Sequence, residues 1–340
     1  MTIDNPGGAR AAAGTGLRTR PLKVVVAAGT RNRPEMLADL IASWAGMERP
    51  EGTEVTFLVV ENDEAARCEG LVTARAAAFP GGALRYVHEP ELGIPFARNR
   101  AAREAIALGA DLLAFVDDDE TVAADWLVRL VAAYRGRELR LLGGPVRVAP
   151  LPPGAGLAQR MVYRGVTDRY ARKEAKAARR HAAGTDDGVT IVTNNWLGEL
   201  TLFTRDGIWF DEEMRFTGGT DAKFHADARR RGIATGWAPD AVVYETIPAD
   251  RLTLGYQYRR GRDQSMTHFR RKIEDRPAAR LSALVSVPVR AVFILAMALT
   301  LPFDRGARML DIARSAGWIA GRIGALRGRR SELYTKVTGA

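Results

Sequence analysis

Residues 112–120 read LLAFVDDDE: five consecutive apolar side chains run straight into three aspartates. A continuous apolar run, rather than an alternating one, is the pattern of a strand buried on both faces, as in a parallel sheet covered by helices. Three adjacent carboxylates at its end repel one another, so they need a cation or an open edge. In open α/β sheets the carboxyl edge of the strands is where ligands bind. Asp117 and Asp119 are two residues apart, which on an extended backbone puts both carboxylates on one side, where a hard divalent ion takes oxygen ligands. A solvated acidic turn is the other reading of the same residues, and the rest of the chain decides between the two.

Upstream, residues 22–28 (LKVVVAA) form a first strand closed by Gly29 and Thr30, and Pro34-Glu35 open an amphipathic helix with Met36, Leu37, Leu40, Ile41 and Trp44 on its apolar face. Residues 55–60 (VTFLVV) form a second strand ending in Glu61-Asn62-Asp63, followed by a helix over about 65–78. A short third strand covers 84–87, Gly93 marks a loop, and 96–108 is helical before the run at 112. Strand alternating with helix implies a parallel sheet with right-handed crossovers, so the polar clusters after the first, second and fourth strands converge on one edge. Downstream, the pattern gives a helix from 125 to about 136, one strand over 141–148 and a Pro/Gly break at 150–156. The charged stretch 168–188 reads as a mobile loop or loosely held helix, and Ile191-Val192-Thr193 as a short strand entering Asn194-Asn195-Trp196. Asp221 begins a helix that Gly232 stops.

The 340 residues carry a net charge of +10, which suits an anionic partner such as a phosphorylated substrate, a membrane surface or nucleic acid. A single cysteine, Cys68, excludes an intramolecular disulfide. Residues 1–20 lack an apolar core segment and read as a disordered tail rather than a signal peptide. The four histidines are scattered, with none at zinc-ligand spacing.

Seven collinear pieces over roughly 22–265 together resemble the inverting family-two glycosyltransferases of bacterial exopolysaccharide type: VVVAAGTRNRPEML, VVENDEAA, ELGIPFARNRA, LLAFVDDDE, TNNWL, FDEEMRFTGGTD and the stretch 245–262. The resemblance implies an α/β, GT-A (Rossmann-like), mostly parallel sheet flanked by helices, and the apolar and basic residues beyond it read as a C-terminal helical membrane-associating extension. Its domains would be the tail 1–20, a catalytic domain 21–265 with a nucleotide-binding half (21–150) and an acceptor half (151–265), and a basic and apolar helical region 266–340.

The resemblance also implies roles. Asp221 is the general base. Thr30, Arg31, Arg33, Glu61, Asn62, Asp63, Arg98, Asp117 and Asp118 line the nucleotide, with Glu61 and Asn62 on the base. Asp119, with Asp117, holds a divalent metal, Mn2+ or Mg2+. Asn194, Asn195, Trp196, Gly218, Gly219 and Thr220 surround the sugars, although Trp196 also reads as a packed core residue. Arg259 and Arg260 face the diphosphate. The activity implied is hexosyl transfer from a nucleoside-diphosphate sugar, a UDP-sugar first, to a hydroxyl of a glycan or lipid-linked acceptor. One departure stands out: family members usually carry an acid before the base, and here that position is Thr220.

The chemistry asks for these residue types. Expelling a nucleoside diphosphate creates charge that a divalent ion and guanidinium groups stabilise. The attacking hydroxyl must lose a proton, and a carboxylate in hydrogen-bond reach supplies base catalysis of about 10²–10⁴-fold. Attack opposite the leaving group inverts the anomeric centre without an enzyme nucleophile, and no Ser/His/Asp or Cys/His arrangement competes for that role. A nucleotidyltransferase is the enzymatic alternative, but a Gly-rich phosphate loop after the first strand is missing. A non-enzymatic binder of anionic membrane or nucleic acid is the other.

Residues 281–303 (LSALVSVPVRAVFILAMALTLPF) are long enough to cross a bilayer. Pro288 interrupts them, however, and Arg290 sits inside the run at a cost of about 2.5–3.5 kcal/mol near a bilayer centre. A second helical stretch follows over about 305–327, flanked by Arg322, Arg327, Arg329 and Arg330. Basic residues around apolar helices suit an anionic leaflet. The expectation is a peripheral or monotopic attachment to the cytoplasmic face of the bacterial inner membrane, with no nucleic-acid partner; packing on the catalytic domain or a dimer interface is the competing arrangement.

Overall fold

The computed structural model describes residues 20–80, 83–151, 153–216, 218–301, 308–329 and 331. The tail expected over 1–20 therefore lies outside the described residues except for Arg20. The elements run β1 (Leu22–Thr30), α1 (Pro34–Gly46), β2 (Thr53–Glu61), α2 (Glu69–Ala76), β3 (Leu84–His88), α3 (Ile94–Ala107), β4 (Leu112–Phe115), β5 (Glu120–Val122), α4 (Trp126–Gly136), β6 (Leu141–Gly143), β7 (Val146–Val148) and α5 (Leu157–Ala182). Beyond α5 come β8 (Trp196–Glu199), α6 (Thr201–Thr204), α7 (Thr220–Arg230), β9 (Thr235–Trp237), β10 (Val243–Glu245), α8 (Leu254–Asp275), α9 (Ser282–Thr300) and α10 (Met309–Leu326).

The chain forms two compact units. The first holds residues up to 147, 174–212 and 220–245; the second holds 148–173, 213–219 and 246 onward. The first unit is built on a seven-stranded sheet of order β3-β2-β1-β4-β8-β6-β9. β1 pairs in parallel with β2 and with β4, and β2 with β3, while β8 runs antiparallel to both of its neighbours. Because the chain leaves β1 toward β2 and β3 and then returns to place β4 on the other side, the strand order reverses between β1 and β4. That reversal opens a crevice at the carboxyl ends of these two strands.

The alternation of a strand's side chains is visible in the core. Val24, Val26 and Ala28 pack with Leu37, Leu40, Trp44 and Trp126 on one face of the sheet. Val25 and Ala27 pack with Ala101, Phe115, Trp196, Phe203 and Phe224 on the other. The second unit has its own apolar clusters, one around Val162, Val166, Leu252 and Leu310 and one around Met266, Phe269 and Ala325.

Two local expectations are corrected and a third is narrowed. The strand expected over 141–148 is two strands: β6 belongs to the seven-stranded sheet and β7 to a three-stranded one. The break falls at Gly144-Pro145, where proline has no N–H to give to the ladder. Gly144 is wedged so tightly that a Cβ there would lie 2.4 Å from the Ala241 carbonyl oxygen and 2.5 Å from Asn195 Nδ2. Gly144→Ala is therefore expected to cost about 1–3 kcal/mol by overpacking, read as a lowered urea midpoint with an unchanged slope. The charged stretch from 168 is no mobile loop: the helical of its two readings holds, as the second half of the 26-residue helix α5. Residues 191–195 are irregular, and β8 begins only at Trp196.

The segment after α5 is held by a half-buried ion pair. Arg137 clasps Asp186 with two bonds of 2.8 and 2.9 Å, and Asp186 also meets His181 Nδ1 at 2.9 Å and the Trp237 N–H at 3.0 Å. Burial alone would raise the carboxyl, but these donors hold it down at about 2. A depressed acid stabilises the fold above its unfolded value and loses that contribution as pH falls through its folded value. Asp186→Asn is thus expected to cost about 2 kcal/mol at neutral pH, the stabilisation that the depressed carboxyl contributes. The gap between wild type and variant should narrow by about 2 kcal/mol between pH 4 and pH 2; a gap constant over that window in denaturant titrations would refute the assignment.

Candidate active site

Thr30 and Glu61 end β1 and β2 side by side in register, and the three aspartates follow β4 on the other side of β1. The turn after β1 passes through Asn32 with φ 50°, the one positive-φ residue other than glycine among those described. Arg33 follows it and leads into α1 with a buried head group. Arg33 Nη1 lies 2.7 Å from Asp118 Oδ1 and 3.4 Å from Asp119 Oδ2, and Thr30 Oγ1 donates to Asp118 Oδ2 at 2.9 Å. Burial works against the Arg33 charge, but Asp118 and Asp119 outweigh it and raise its pKa. Asp118 is 5% exposed and Asp119 8%, whereas the Asp117 side chain is 46% exposed and opens on the sheet edge.

Asp117 is the electrostatic outlier. Desolvation by the surrounding protein raises its carboxyl to about 7; Arg98 opposes this, and the charges of Asp119, Asp221 and Asp118 add to it. Arg98 lies between the aspartates and α7. Its Nη2 is 3.8 Å from Asp117 Oδ1, its Nη1 donates to Thr220 Oγ1 at 2.8 Å, and it forms a close ion pair with Asp221 Oδ1. Thr193 Oγ1, at 3.1 Å, and Thr220 Oγ1, at 3.3 Å, donate to that same Asp221 oxygen. Among the described residues no protein donor reaches Asp221 Oδ2. One carboxylate oxygen is fixed by three donors and the other is left to accept.

Not every residue expected here is available. Glu61 is fully buried; its carboxylate accepts from the Arg67 and Cys68 N–H groups at the start of α2 and from Tyr86 OH at 2.6 Å. The side chain folds back to hold the next helix, so contact with a base is removed from its role. Asn62 is spent likewise: Nδ2 donates to the Glu89 and Glu91 carbonyls and Oδ1 accepts from Gly93 N–H at 2.8 Å. Asn195 bridges the Pro145 and Ala241 carbonyls and accepts from Trp126 Nε1. Trp196 is 1% exposed inside an aromatic cluster, 5.3 Å from Phe115 and 5.8 Å from Phe224, with no face open to a sugar.

Asp63 and Asn194 remain in the first unit without being withdrawn in this way. Asp63 is approached by Arg31 at 3.7 Å and Arg67 at 3.3 Å. Asn194 keeps a shielded amide oxygen with no partner. Gly218 and Gly219 have φ of 74° and 80°, and they lie in the second unit together with Arg259 and Arg260. In that unit Arg260 belongs to a crowded basic group: burial, then the charges of Arg169 and Arg260, push Arg314 down to about 9.

Two residues were not singled out in the sequence. Thr193 holds the Asp221 carboxylate, and its only local signal was adjacency to Asn194-Asn195. Glu120 accepts the Asp117 N–H at 2.8 Å and is raised well above the carboxylate range by burial and by Asp117 and Asp119.

Among the described residues no group of three or more His, Cys, Asp or Glu is placed to hold a metal ion by itself. The donor set nevertheless fits a divalent ion. Asp117 and Asp119 supply hard oxygen ligands at the open edge, where the charges of Asp118, Asp119 and Asp221 act on Asp117 and Arg98 opposes them. A site with one or two carboxylates, completed by water and substrate phosphates, is a common way to bind Mg2+.

Comparison with known proteins bears on the same region. Residues 20–264 match the family described as glycosyltransferase like family 2. The chain is 28% identical over 314 residues to the succinoglycan biosynthesis protein ExoM of Rhizobium meliloti (strain 1021), covering 92% of this chain and 96% of that protein. Among solved structures it resembles the mannosyltransferase PcManGT from Pyrobaculum calidifontis, in complex with GDP-Man and Mn2+. The TM-score is 0.56 at 18% identity, over 92% of this chain and 89% of that one.

Proposed function

This chain belongs to glycosyltransferase like family 2, and from that premise we propose that it moves a sugar from a nucleoside-diphosphate donor to a hydroxyl of a growing surface glycan by a single inverting displacement. The observation that carries this reading is Arg98, which joins the donor-side Asp117 to the Asp221 carboxylate and so ties donor acid and base together. The similarity to ExoM supports exopolysaccharide assembly as the setting, and the GDP-Man and Mn2+ bound to PcManGT support a nucleotide-sugar donor and a divalent ion.

Asp119 and Asp117 would hold the ion, which when bound supplies Lewis-acid stabilisation of the departing diphosphate. Thr30 and Arg33 fix Asp118, so the three-aspartate turn is rigid before donor arrives. Arg31 and Asp63 are assigned to the nucleoside, and Arg259 and Arg260 to phosphate. The Asn194 amide oxygen is assigned to a sugar hydroxyl, and Gly218-Gly219 to close passage of the backbone beside the sugar. Asp221 Oδ2 takes the proton of the acceptor hydroxyl as its oxygen bonds to the anomeric carbon from the face opposite the diphosphate. The bond from anomeric carbon to diphosphate oxygen breaks, and the nucleoside diphosphate leaves with the electron pair. Thr220, in place of the usual acid, avoids a second negative charge beside the base and links it to Arg98.

The C-terminal helices support action at the cytoplasmic face of a membrane on a lipid-linked acceptor. One stretch, Pro277–Thr300, is long and apolar enough to cross a bilayer and is 6% buried over its apolar window.

The test is product identity. Incubation with a panel of nucleotide sugars and membrane-extracted acceptor should release nucleoside diphosphate in step with sugar incorporation. Release of pyrophosphate instead would replace this reading with nucleotidyl transfer.

A further inference from the structure

α9 and α10 pack together in the second unit and leave between them a cleft of about 340 Å³ lined by Ser286, Val289, Arg290, Phe293 and Trp318. Arg290 in the lining and Arg322 outside it meet the same indole. The Arg290 head lies 4.8 Å from the Trp318 ring centre and the Arg322 head 4.4 Å from it; Arg322 also lies 4.0 Å from Phe269. Cation–π contact orients the heads but brings no counter-charge. Among the described residues neither arginine has a carboxylate partner, and the arrangement holds two like charges close together. Burial, then Arg290, pushes the Arg322 pKa down. Ser286 Oγ and Arg322 Nε are shielded from water without a hydrogen-bond partner, a condition that costs free energy until an acceptor arrives.

Beside the cleft the surface turns apolar. Leu284 is 72% exposed, Val285 68%, Val292 65%, Phe293 61% and Leu299 76%. The complementary occupant is therefore an anion that carries hydrocarbon. A soluble anion makes no use of the apolar helix, and a nucleic acid needs a longer basic track. A second copy of the chain in isologous contact would add its own uncompensated arginines rather than neutralise these.

We propose that the cleft between α9 and α10 binds the phosphate of a membrane lipid, with Arg290 and Ser286 on the phosphate oxygens, Arg322 adding positive charge from its place on Trp318, and the acyl chain along Val289, Phe293 and the exposed face of α9. The site deepens the membrane side of the proposed function and rests on that side alone, since it uses no residue of the donor site. It fixes the depth of the protein: the guanidinium pair sits at the phosphate level, and α9 lies in the leaflet instead of crossing it.

The full chain is mixed with phosphatidylcholine vesicles with and without phosphatidylglycerol, and bound protein is measured by co-sedimentation. Brominated-chain phosphatidylglycerol is used to quench fluorescence, with Trp318→Phe isolating the Trp318 component. Expected is at least a tenfold rise in partitioning on adding phosphatidylglycerol, with quenching of Trp318. R290Q/R322Q should lose both while melting and binding nucleotide like wild type. R290K/R322K keeps the charge but not the stacked fork, and it should lose the Trp318 quenching. Wild-type partitioning and quenching in that lysine variant would overturn the site in favour of diffuse surface charge. No phosphatidylglycerol dependence, equal displacement by inorganic phosphate, or a lipid-resistant dimer burying Phe293 would each overturn it as well. If nucleotide binding holds while lipid binding fails, the donor reading stands and only this site falls.

Discussion

Asp221→Asn is expected to lower kcat by about 10²–10⁴-fold and leave nucleotide affinity within about twofold. The argument rests on the two oxygens of one carboxylate. Oδ1 receives Arg98, Thr193 and Thr220. An asparagine can keep its carbonyl oxygen facing those three donors, so its side chain stays where the aspartate was. Its amide nitrogen then replaces Oδ2 and turns the proton-accepting position into a donor. The substitution removes a base without removing a neighbour, and steady-state kinetics beside calorimetry separate the two. If kcat falls tenfold or less, water or another group accepts the proton. A matching collapse in nucleotide affinity would mean that the Asp221 carboxylate holds Arg98 in the position from which it serves the donor. Thr193→Val supplies the intermediate case. It removes one donor to Oδ1 at nearly constant volume, so Asp221 loses orientation and not identity, and a smaller loss of kcat is expected.

How far such a site can be read from sequence depends on the range of the forces that build it. The buried parallel strands were legible because each is a continuous apolar run, and the aspartates were legible because they are adjacent. The charged half of α5 was legible only as a loop or a loose helix, since a helix with little apolar stripe cannot be told from a loop until tertiary contacts such as Asp186 with Arg137 hold its end. Glu61 and Asn62 looked like ligand-binding residues because they sit at a strand's carboxyl end. Their partners, Cys68, Tyr86 and Gly93, lie up to 31 positions away, and no local pattern says that the donors are already supplied from within. Thr193 fails for the same reason in the other direction, since its significance is a hydrogen bond to a residue 28 positions on. Asn195 was recognisable as a polar residue beside a strand, but the two carbonyls it bridges come from separate loops that only the fold brings together.

Asp119→Ala is expected to abolish metal-dependent nucleotide binding, weakening it by about 100-fold or more, because changes even to residues behind a metal's ligands cost about 10–100-fold. The neighbours give the sharper form of the prediction. Asp118 is held by Thr30 and Arg33, so Asp118→Asn disturbs the turn and should lower thermal stability together with affinity. Asp119 also touches Arg33, more loosely at 3.4 Å, and its loss relieves repulsion on Asp117. Asp119→Ala should lose the nucleotide, and a melting curve taken alongside separates that loss from any loss of fold. Calorimetry with UDP, GDP and other nucleoside diphosphates, with Mn2+, with Mg2+ and with chelator, reads all of this at once. Binding of one nucleotide that needs the metal in wild type and vanishes in Asp119→Ala assigns the ion to this turn and names the base. Equal binding with chelator present would assign the diphosphate to the guanidinium groups alone. Arg33 and Arg98 stand beside the aspartates, so that outcome has a structural basis of its own, and Arg98→Ala would then become the variant that abolishes binding.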